Sequence, residues 1–248
     1  MYQSRKRSPK EVRGSLIGTL LGDSYITQGS TFGCEQINKE LIELKRDLLS
    51  HYKEVVPEIS ERQRSGTVIE GRSINSSKTY TIRMRHPRFA RLNKLFYRTG
   101  TKQVTFTMLK FLSLEGIALW IMDDGYMDYK ESSCTRNLRI CTDSFDQISI
   151  SEITRYFEEI HGIETKVYWH QSKKGAEKKP RISFNAKASQ KLISIIYPFF
   201  VDSMLYKIDM HYLPETVNSK RCSPEYRKAA QYISQRRTLL ENNSEDIV

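Results

Sequence analysis

LIGTLLGDS (residues 16–24) and IALWIMDDG (residues 117–125) are two stretches built on one pattern, an apolar run of about two helical turns that ends on an acid. The final acids, Asp23 and Asp124, are 101 residues apart. A duplicated half with one acid in each copy predicts a pseudo-twofold arrangement in which the two carboxylates meet. Paired carboxylates suit divalent metal ions far better than they suit an apolar core.

Three glycines, Gly14, Gly18 and Gly22, lie four residues apart around the first stretch and share one helix face. Glycine inside a helix costs roughly 1 kcal/mol relative to alanine, so the pattern predicts that another backbone approaches this face closely. The second stretch is the obvious partner. It departs from the glycine pattern, because Leu119 and Asp123 stand where the first stretch has Gly18 and Gly22.

Basic residues outnumber acidic ones, with 40 Lys and Arg against 29 Asp and Glu and a net charge of +11, which favours an anionic partner. Two windows, 59–92 and 160–193, are offset by the same 101 residues, and each holds eight basic and two acidic residues. A single run of charge usually marks a solvated face. Two runs at the offset of the motifs indicate a repeated binding surface.

Targeting signals are not evident in the sequence. No stretch approaches the ~18 apolar residues of a membrane span, and the N-terminus lacks the apolar core of a secretory signal. We therefore expect no membrane partner and an intracellular protein, whether in a bacterial or archaeal cytoplasm, a phage-infected cell or an organelle matrix. Reduced thiols are expected for the four cysteines, which form no C-x-x-C pair.

Alternating residues predict a strand in each basic window. In TYTIRMR (residues 79–85), Ile82 and Met84 fall on one face while Thr81, Arg83 and Arg85 fall on the other. RISFN, residues 181–185, alternates in the same way. A β-ribbon with basic and polar side chains on its open face can enter a major groove and contact base edges.

These periodicities divide the chain into two halves with the same order of elements, α-β-β-α-β-β-α, in an α+β fold. The first half, 12–98, is predicted as helix 14–24, hairpin 25–37, helix 38–55, strands near 59–70 and 78–86, and helix 87–98. The second half, 113–213, is predicted as helix 113–124, hairpin 125–143, helix 147–161, strands near 164–171 and 180–186, and helix 187–199. The remaining segments are a basic N-terminal arm (1–11), a linker (99–112) and a largely helical C-terminal extension (214–248), whose helix begins after Ser223.

Motifs ending in LGDS and MDDG, 101 residues apart and each followed by a hairpin, resemble the LAGLIDADG homing endonucleases, and more narrowly their single-chain, two-motif, intron-encoded members. The resemblance covers roughly residues 12–213. It implies a monomer with motif helices packed at a central interface and two antiparallel, saddle-shaped sheets that straddle duplex DNA. It also implies that one motif acid from each half binds Mg²⁺, with two or more ions in all and Mn²⁺ as a plausible substitute.

Transferred by motif position, Asp23 and Asp124 are the expected metal-binding, catalytic acids, and Asp123 is expected to be an accessory or capping residue. The family often has a lysine late in each half near the metal site, which points to Lys102 and Lys207 as catalytic residues.

Water-positioning side chains are expected at the end of each first hairpin, namely Glu35 or Gln36 in one half and Thr142 in the other. The basic residues expected to bind DNA are Arg62, Arg64, Arg72, Lys78, Arg83, Arg85, Lys166, Lys173, Lys174 and Arg181.

The leading hypothesis is a sequence-specific, Mg²⁺-dependent endonuclease that cuts both strands of a long DNA site, roughly 20 bp if each half contacts about one helical turn. One alternative is an intron maturase that binds group I intron RNA, a role that can coexist with cleavage. The other is a non-catalytic DNA-binding regulator on the same fold. The presence of both Asp23 and Asp124 counts against the two alternatives.

Overall fold

The structure is a computed structural model. It describes residues 4–52, 57–65, 67–69, 72–74, 77–98, 100–130, 135–171, 177–210 and 222–245.

Both halves follow the predicted order of elements, and the first half has one hairpin more than predicted. In the first half these are α1 (Pro9–Leu21), β1 (Tyr25–Ile26), β2 (Thr31–Gln36), α2 (Lys39–Ser50), β3 (Ser60–Arg64), β4 (Thr67–Ile69), β5 (Arg72–Ile74), β6 (Ser77–Arg85) and α3 (Phe89–Phe96). A short helix, α4 (Phe106–Leu109), lies in the predicted linker. The second half contains α5 (Leu114–Asp124), β7 (Gly125–Lys130), β8 (Thr135–Cys141), α6 (Gln147–His161), β9 (Lys166–His170), β10 (Lys179–Ser183) and α7 (Ala186–Ile196). Two 3-10 helices (Tyr197–Phe199 and Asp202–Lys207) and α8 (Pro224–Glu245) complete the described chain.

Each half contributes one antiparallel sheet of four strands, as far as the described residues go. The strand orders are β1-β2-β6-β3 and β7-β8-β10-β9, and the added hairpin β4–β5 pairs only with itself in that part of the chain. The strand pairing is repeated in the two sheets. Tyr25 lies opposite Gly33 in the first sheet, and Tyr126, 101 residues after Tyr25, lies opposite Arg139 in the second. The prediction of two related antiparallel sheets is therefore confirmed.

Several helix boundaries differ from the predicted ones. Helix α1 begins at Pro9 rather than at residue 14, because Ser8 and Glu11 form a capping box: the Ser8 hydroxyl accepts from the Glu11 N–H, and the Glu11 carboxylate accepts from the Ser8 N–H. Helix α2 ends at Ser50 rather than at 55. Helix α6 has the predicted bounds, and Gly162 caps its C-terminal end. The φ of Gly162 is 58°, in the left-handed region that glycine adopts without steric cost.

Part of the predicted N-terminal arm is joined to the second half. The guanidinium groups of Arg5 and Arg7 both donate to the Glu115 carboxylate at the start of α5, and the Arg7 side chain is fully buried. Arg7 also contacts Asp47 of α2. These ion pairs lie at the N-terminal ends of α1 and α5, a helix length away from Asp23 and Asp124.

Helices α1 and α5 pack against each other at backbone distance, as the glycine pattern predicts. A Cβ added to Gly18 would overlap the backbone of Gly116, and one added to Gly14 would lie 2.5 Å from the Phe111 carbonyl oxygen. At the third glycine, Gly22, an added Cβ would meet the side chain of Asp123, whose Cβ lies 2.5 Å away. The closest contacts are therefore between backbones at Gly14 and Gly18, and between backbone and a side chain at Gly22.

The sheets bury one face and leave the other open. Ile82 and Met84 of β6 are buried in the core, while Arg83 and Arg85 on the opposite face are exposed. In the second sheet Ile182 is fully buried. No helix in the described ranges combines the length and the apolarity that a membrane span needs.

We predict that Gly18→Ala lowers the melting temperature although alanine favours helix formation. The added methyl group has no space beside Gly116, and overpacking of this kind costs about 1–3 kcal/mol, or several degrees in a chain of this size at roughly 2–4 °C per kcal/mol. The matched control is Gly29→Ala, because the nearest atom to its added Cβ is Thr27 Oγ1 at 3.9 Å. Equal melting temperatures for the two variants would show that α1 and α5 are not packed at this distance.

Candidate active site

The ends of α1 and α5 bring two carboxylates into one electrostatic cluster. Asp124 is the last residue of α5, and Asp23 follows Gly22, which ends α1. Asp23 is exposed, whereas Asp124 is largely buried. Burial raises the pKa of Asp124 to about 7, and the neighbouring carboxylates of Asp123 and Asp23 add to the rise. Crowded carboxylates of this kind favour a bound cation or a proton.

The two predicted lysines occupy matching places beside this cluster. Lys102 Nζ donates to the Gly22 carbonyl at 2.9 Å, and Lys207 Nζ donates to the Met122 and Asp123 carbonyls at 2.6 and 2.9 Å. Gly22 and Asp123 are the residues immediately before the two acids, so the contacts repeat across the pseudo-twofold. Burial lowers the pKa of both ammonium groups, although the nearby carboxylates act in the opposite sense.

Asp123 is fully buried at the interface of the halves. Its carboxylate accepts two hydrogen bonds from Lys45 Nζ at 2.7 and 2.8 Å, one from the Asp23 N–H at 3.1 Å and one from the Gln36 amide at 2.9 Å. Burial alone would lower the pKa of Lys45, but the Asp123 carboxylate outweighs it and raises that pKa. Burial also raises the pKa of Asp123, and the Lys45 charge opposes that rise. With donors on both of its oxygens, Asp123 is best described as a carboxylate paired with the Lys45 ammonium.

Lys45 was not predicted from the sequence. It lies on the buried face of α2 together with Leu41, Leu44, Leu48 and Leu49. A lysine at a core-facing position of an amphipathic helix needs a buried partner, since an unpaired buried charge is strongly unfavourable. The sequence alone places Lys45 on the apolar face of α2. It does not reveal that the partner is Asp123 of the other half.

Of the two alternatives for the first hairpin, the structure brings Gln36 to the acids. Its amide donates to Asp23 Oδ2 at 3.0 Å and to Asp123 Oδ1, whereas the Glu35 carboxylate pairs with Arg64 at 2.8 Å.

Thr142 occupies the equivalent place in the second half. Gly33 and Arg139 are equivalent positions, because they lie opposite Tyr25 and Tyr126 in the two sheets. Gln36 comes three residues after Gly33, and Thr142 comes three residues after Arg139. The Thr142 side chain is buried, and its hydroxyl donates to the Pro180 carbonyl at 2.7 Å.

Asp23 opens onto the same cleft as the polar face of the first sheet. The cleft has a volume of about 820 Å³, and Asp23, Gln36, Arg64, Thr79 and Lys207 are among its lining residues. Asp23 and the polar face of the first sheet can therefore contact one ligand at the same time.

The residues expected to bind DNA fall into groups. Arg83, Arg85, Arg62 and Lys166 are exposed on strands. Other members form ion pairs: Lys78 with Glu61 and Arg64 with Glu35 between strands of the first sheet, and Arg181 with Asp143, which follows β8. Arg181 also donates to the Tyr126 hydroxyl at 3.3 Å. Lys173, Lys174 and the side chain of Arg72 lie outside the described residues.

The donor set fits a magnesium ion. The described residues contain no group of three or more His, Cys, Asp or Glu side chains arranged around a metal site. Mg²⁺ does not require one, because it keeps several waters and takes one or two carboxylates together with substrate phosphates. Asp23 and Asp124 offer oxygen ligands alone, and a cation beside Asp124 would favour the ionised form of a carboxyl whose pKa is raised by burial and by the neighbouring carboxylates.

Comparisons with known proteins agree with the geometry. The LAGLIDADG DNA endonuclease family matches residues 13–192. The chain is 24% identical over 205 residues to DNA endonuclease I-ChuI of Chlamydomonas applanata, covering 78% of this chain and 92% of that protein. Cytochrome b mRNA maturase bI2 of Debaryomyces hansenii is 24% identical over 80% of this chain and 74% of that protein.

One solved structure has the same fold, and one group of relatives is much longer. The homing endonuclease I-WcaI bound to its DNA recognition sequence superimposes with a TM-score of 0.66 at 21% identity, covering 82% of this chain and 88% of that chain. Protein RecA of Mycolicibacterium flavescens is 25% identical over 62% of this chain, and the match spans 36% of that protein. The chain thus covers about a third of the RecA relatives that it matches.

We predict that Asp124→Asn stabilises the metal-free protein at pH 8.5 and has little effect near pH 4. With a folded-state pKa of about 7 against an ordinary value of 3.8, the ionised carboxyl destabilises the fold above pH 7, and this cost shrinks as the pH falls below 7 and is lost near pH 3.8. One pKa unit corresponds to about 1.4 kcal/mol, so a rise of several degrees in melting temperature is expected at pH 8.5. Melting curves in EDTA at both pH values measure it; a variant no more stable than wild type at pH 8.5 would refute the raised pKa of Asp124.

Proposed function

Because the chain belongs to the LAGLIDADG DNA endonuclease family, we propose that it is a sequence-specific homing endonuclease that cuts both strands of a long DNA site with Mg²⁺ as cofactor. The observation that supports this most is the placement of Asp23 and Asp124 at the ends of two tightly packed helices, with Asp23 on a cleft that also borders a sheet with basic side chains. The name of I-ChuI, a DNA endonuclease similar along most of its length, agrees with it.

Asp23 and Asp124 would hold the Mg²⁺ ions, with Mn²⁺ as a substitute, and the bound metal would supply the positive charge that activates water and stabilises the leaving oxygen. The chain itself supplies the rest of the site. Lys102 and Lys207, oriented by carbonyls that precede the two acids, bring fixed positive charge to the phosphates. Gln36 orients the Asp23 carboxylate and can also hold a water beside it.

DNA binding is assigned to the open faces of the two sheets. We propose that residues 12–98 and 113–213 each contact one half of a site of roughly 20 bp, since a half that follows one helical turn covers about 10 bp. Arg83 and Arg85 are exposed on the open face of β6 and are the candidates for contacts with base edges, most plausibly guanine. Both acids belong to one chain, so a monomer suffices for cleavage of both strands.

A second candidate function is that of an intron maturase. The similarity to maturase bI2 extends over 80% of this chain. We propose that group I intron RNA is a possible additional partner, bound by an enzyme that also cleaves DNA. Splicing of a group I intron in the presence and absence of the protein tests this role. The non-catalytic regulator remains the hypothesis to adopt if no cleavage occurs in Mg²⁺.

We predict that Asp23→Asn and Asp124→Asn each abolish double-strand cleavage in Mg²⁺ while DNA affinity changes little. The metal-binding acids are separate from the basic side chains that bind DNA. A target is first selected from a library of randomised duplexes, and cleavage and affinity are then measured on it. Glu159→Gln, which alters an exposed acid on α6, is the control and should cut normally. Substantial cutting by either Asp variant would refute the assignment of the metal-binding acids.

We also predict that Arg83→Ala or Arg85→Ala relaxes the preference at one or two base pairs and costs about 1–3 kcal/mol of binding. Both side chains project from the face of β6 that is exposed. Lys173→Ala and Lys174→Ala, in the segment outside the described residues, should instead weaken binding to all sequences alike, as expected for phosphate contacts. The measurement is a cleavage profile over single-base variants of the target. An unchanged profile for both arginine variants would mean that base recognition lies elsewhere.

A further inference from the structure

The two acids sit in unequal surroundings, although the folds around them repeat. The residue before Asp23 is Gly22, and the residue before Asp124 is Asp123. The Asp123 side chain occupies the space that a side chain at Gly22 would need. It therefore reaches across the pseudo-twofold axis toward the first half, and the first half has no side chain to return the contact.

A second difference between the halves lies next to Asp123, at Lys45 of α2. Asn38 and Asp146 cap α2 and α6 in the same way, each accepting from the N–H three residues later. Lys45 and Ile153 both lie seven residues after these caps, and both are fully buried. Lys45 lies in the first half, into which the Asp123 side chain reaches, whereas Ile153 lies in the second half.

The consequence is a connected polar network around Asp23. Lys45 holds Asp123, and Asp123 in turn accepts from the backbone N–H of Asp23 and from the Gln36 amide. Gln36 completes a loop by donating to the Asp23 carboxylate. Both the backbone and the side chain of this acid are thus fixed by contacts that originate at Lys45.

The corresponding positions around Asp124 are occupied differently. Ile153 and Gly22 offer no polar side-chain atom, and the Thr142 hydroxyl donates to the Pro180 carbonyl. A polar network of the same design is therefore not possible around Asp124, whatever the conformation of those residues.

We propose that Asp123 and Lys45 are positioning residues that fix the Asp23 carboxylate by hydrogen bonds and influence Asp124 only as nearby charges, so that cutting of one DNA strand depends on them far more than cutting of the other. This inference rests on the proposed endonuclease function. The pair acts through Asp23 and Gln36 and does not itself touch DNA.

The test uses the double variant Asp123→Ala/Lys45→Ile, which gives the first half the apolar residue found at the equivalent place in the second. Removing both charges together avoids the unpaired buried charge that either single substitution would leave. The conservative pair Asp123→Asn/Lys45→Met is the second variant, because it keeps both shapes and removes both charges together. Ser15→Ala, at the far end of the same interface, where Ser15 bonds to Glu115, is the matched control.

Cleavage is followed on a target labelled on one strand or the other. We expect both site variants to cut one strand at least tenfold more slowly, with the other strand within threefold of wild type, so that a product nicked in a single strand accumulates. Ser15→Ala should change both rates by the same factor. Equal slowing of the two strands by the site variants, or no slowing, would overturn the inference and leave the endonuclease function intact.

A second readout does not depend on activity. In metal-free protein, NMR hydrogen exchange of the Asp23 amide should be slow in wild type and in Ser15→Ala, and at least tenfold faster in Asp123→Ala/Lys45→Ile, which lacks the acceptor. Unchanged exchange would overturn the positioning role. If wild type fails to cut any DNA, the proposed function fails, and this exchange measurement still decides whether the pair positions Asp23.

Discussion

Helices α1 and α5 touch backbone to backbone at Gly18 and Gly116, and this contact sets how close the acids that follow them can come. A side chain of any size at Gly18 would separate the helices and with them the two carboxylates. The ion pairs of Arg5 and Arg7 with Glu115 fix the opposite ends of the same helices. The site is thus a product of interface packing rather than of either half alone.

Packing two acids this closely has an electrostatic cost, which the chain compensates with lysines. Lys102 and Lys207 place their ammonium groups at the carbonyls that end the motif helices, where positive charge is favoured by the helix dipole. Lys45 adds a buried charge on one side only. Even so, the pKa of Asp124 stays near 7, chiefly because its carboxyl group is buried and also because Asp123 and Asp23 lie nearby, and a divalent cation would favour its ionised form.

The internal repeat in the sequence predicts much of this arrangement, because a duplicated fold places equivalent residues about one axis. Asp23, Asp124, Lys102 and Lys207 are brought together as expected, although their catalytic roles remain predictions. The order of elements along the chain and the glycine contact also follow from periodicity and spacing. The early start of α1 at Pro9 could have been predicted too, since the Ser8–Glu11 capping box is a local signal.

What the repeat could not predict are contacts that break the symmetry. Lys45 and Asp123 come from different halves and are 78 residues apart, so no local pattern joins them. Arg181 was expected to face DNA, yet its guanidinium pairs with Asp143 and approaches Tyr126, a combination that depends on the strand register.

The most direct test of the two-acid metal site is anomalous diffraction from Mn²⁺ in crystals of the protein bound to its selected DNA target. We predict anomalous peaks at the ends of α1 and α5, in contact with Asp23 and Asp124 and with phosphates of both strands. Peaks elsewhere, or DNA bound away from the cleft with no metal at the two acids, would contradict the assignment of Asp23 and Asp124 as metal ligands.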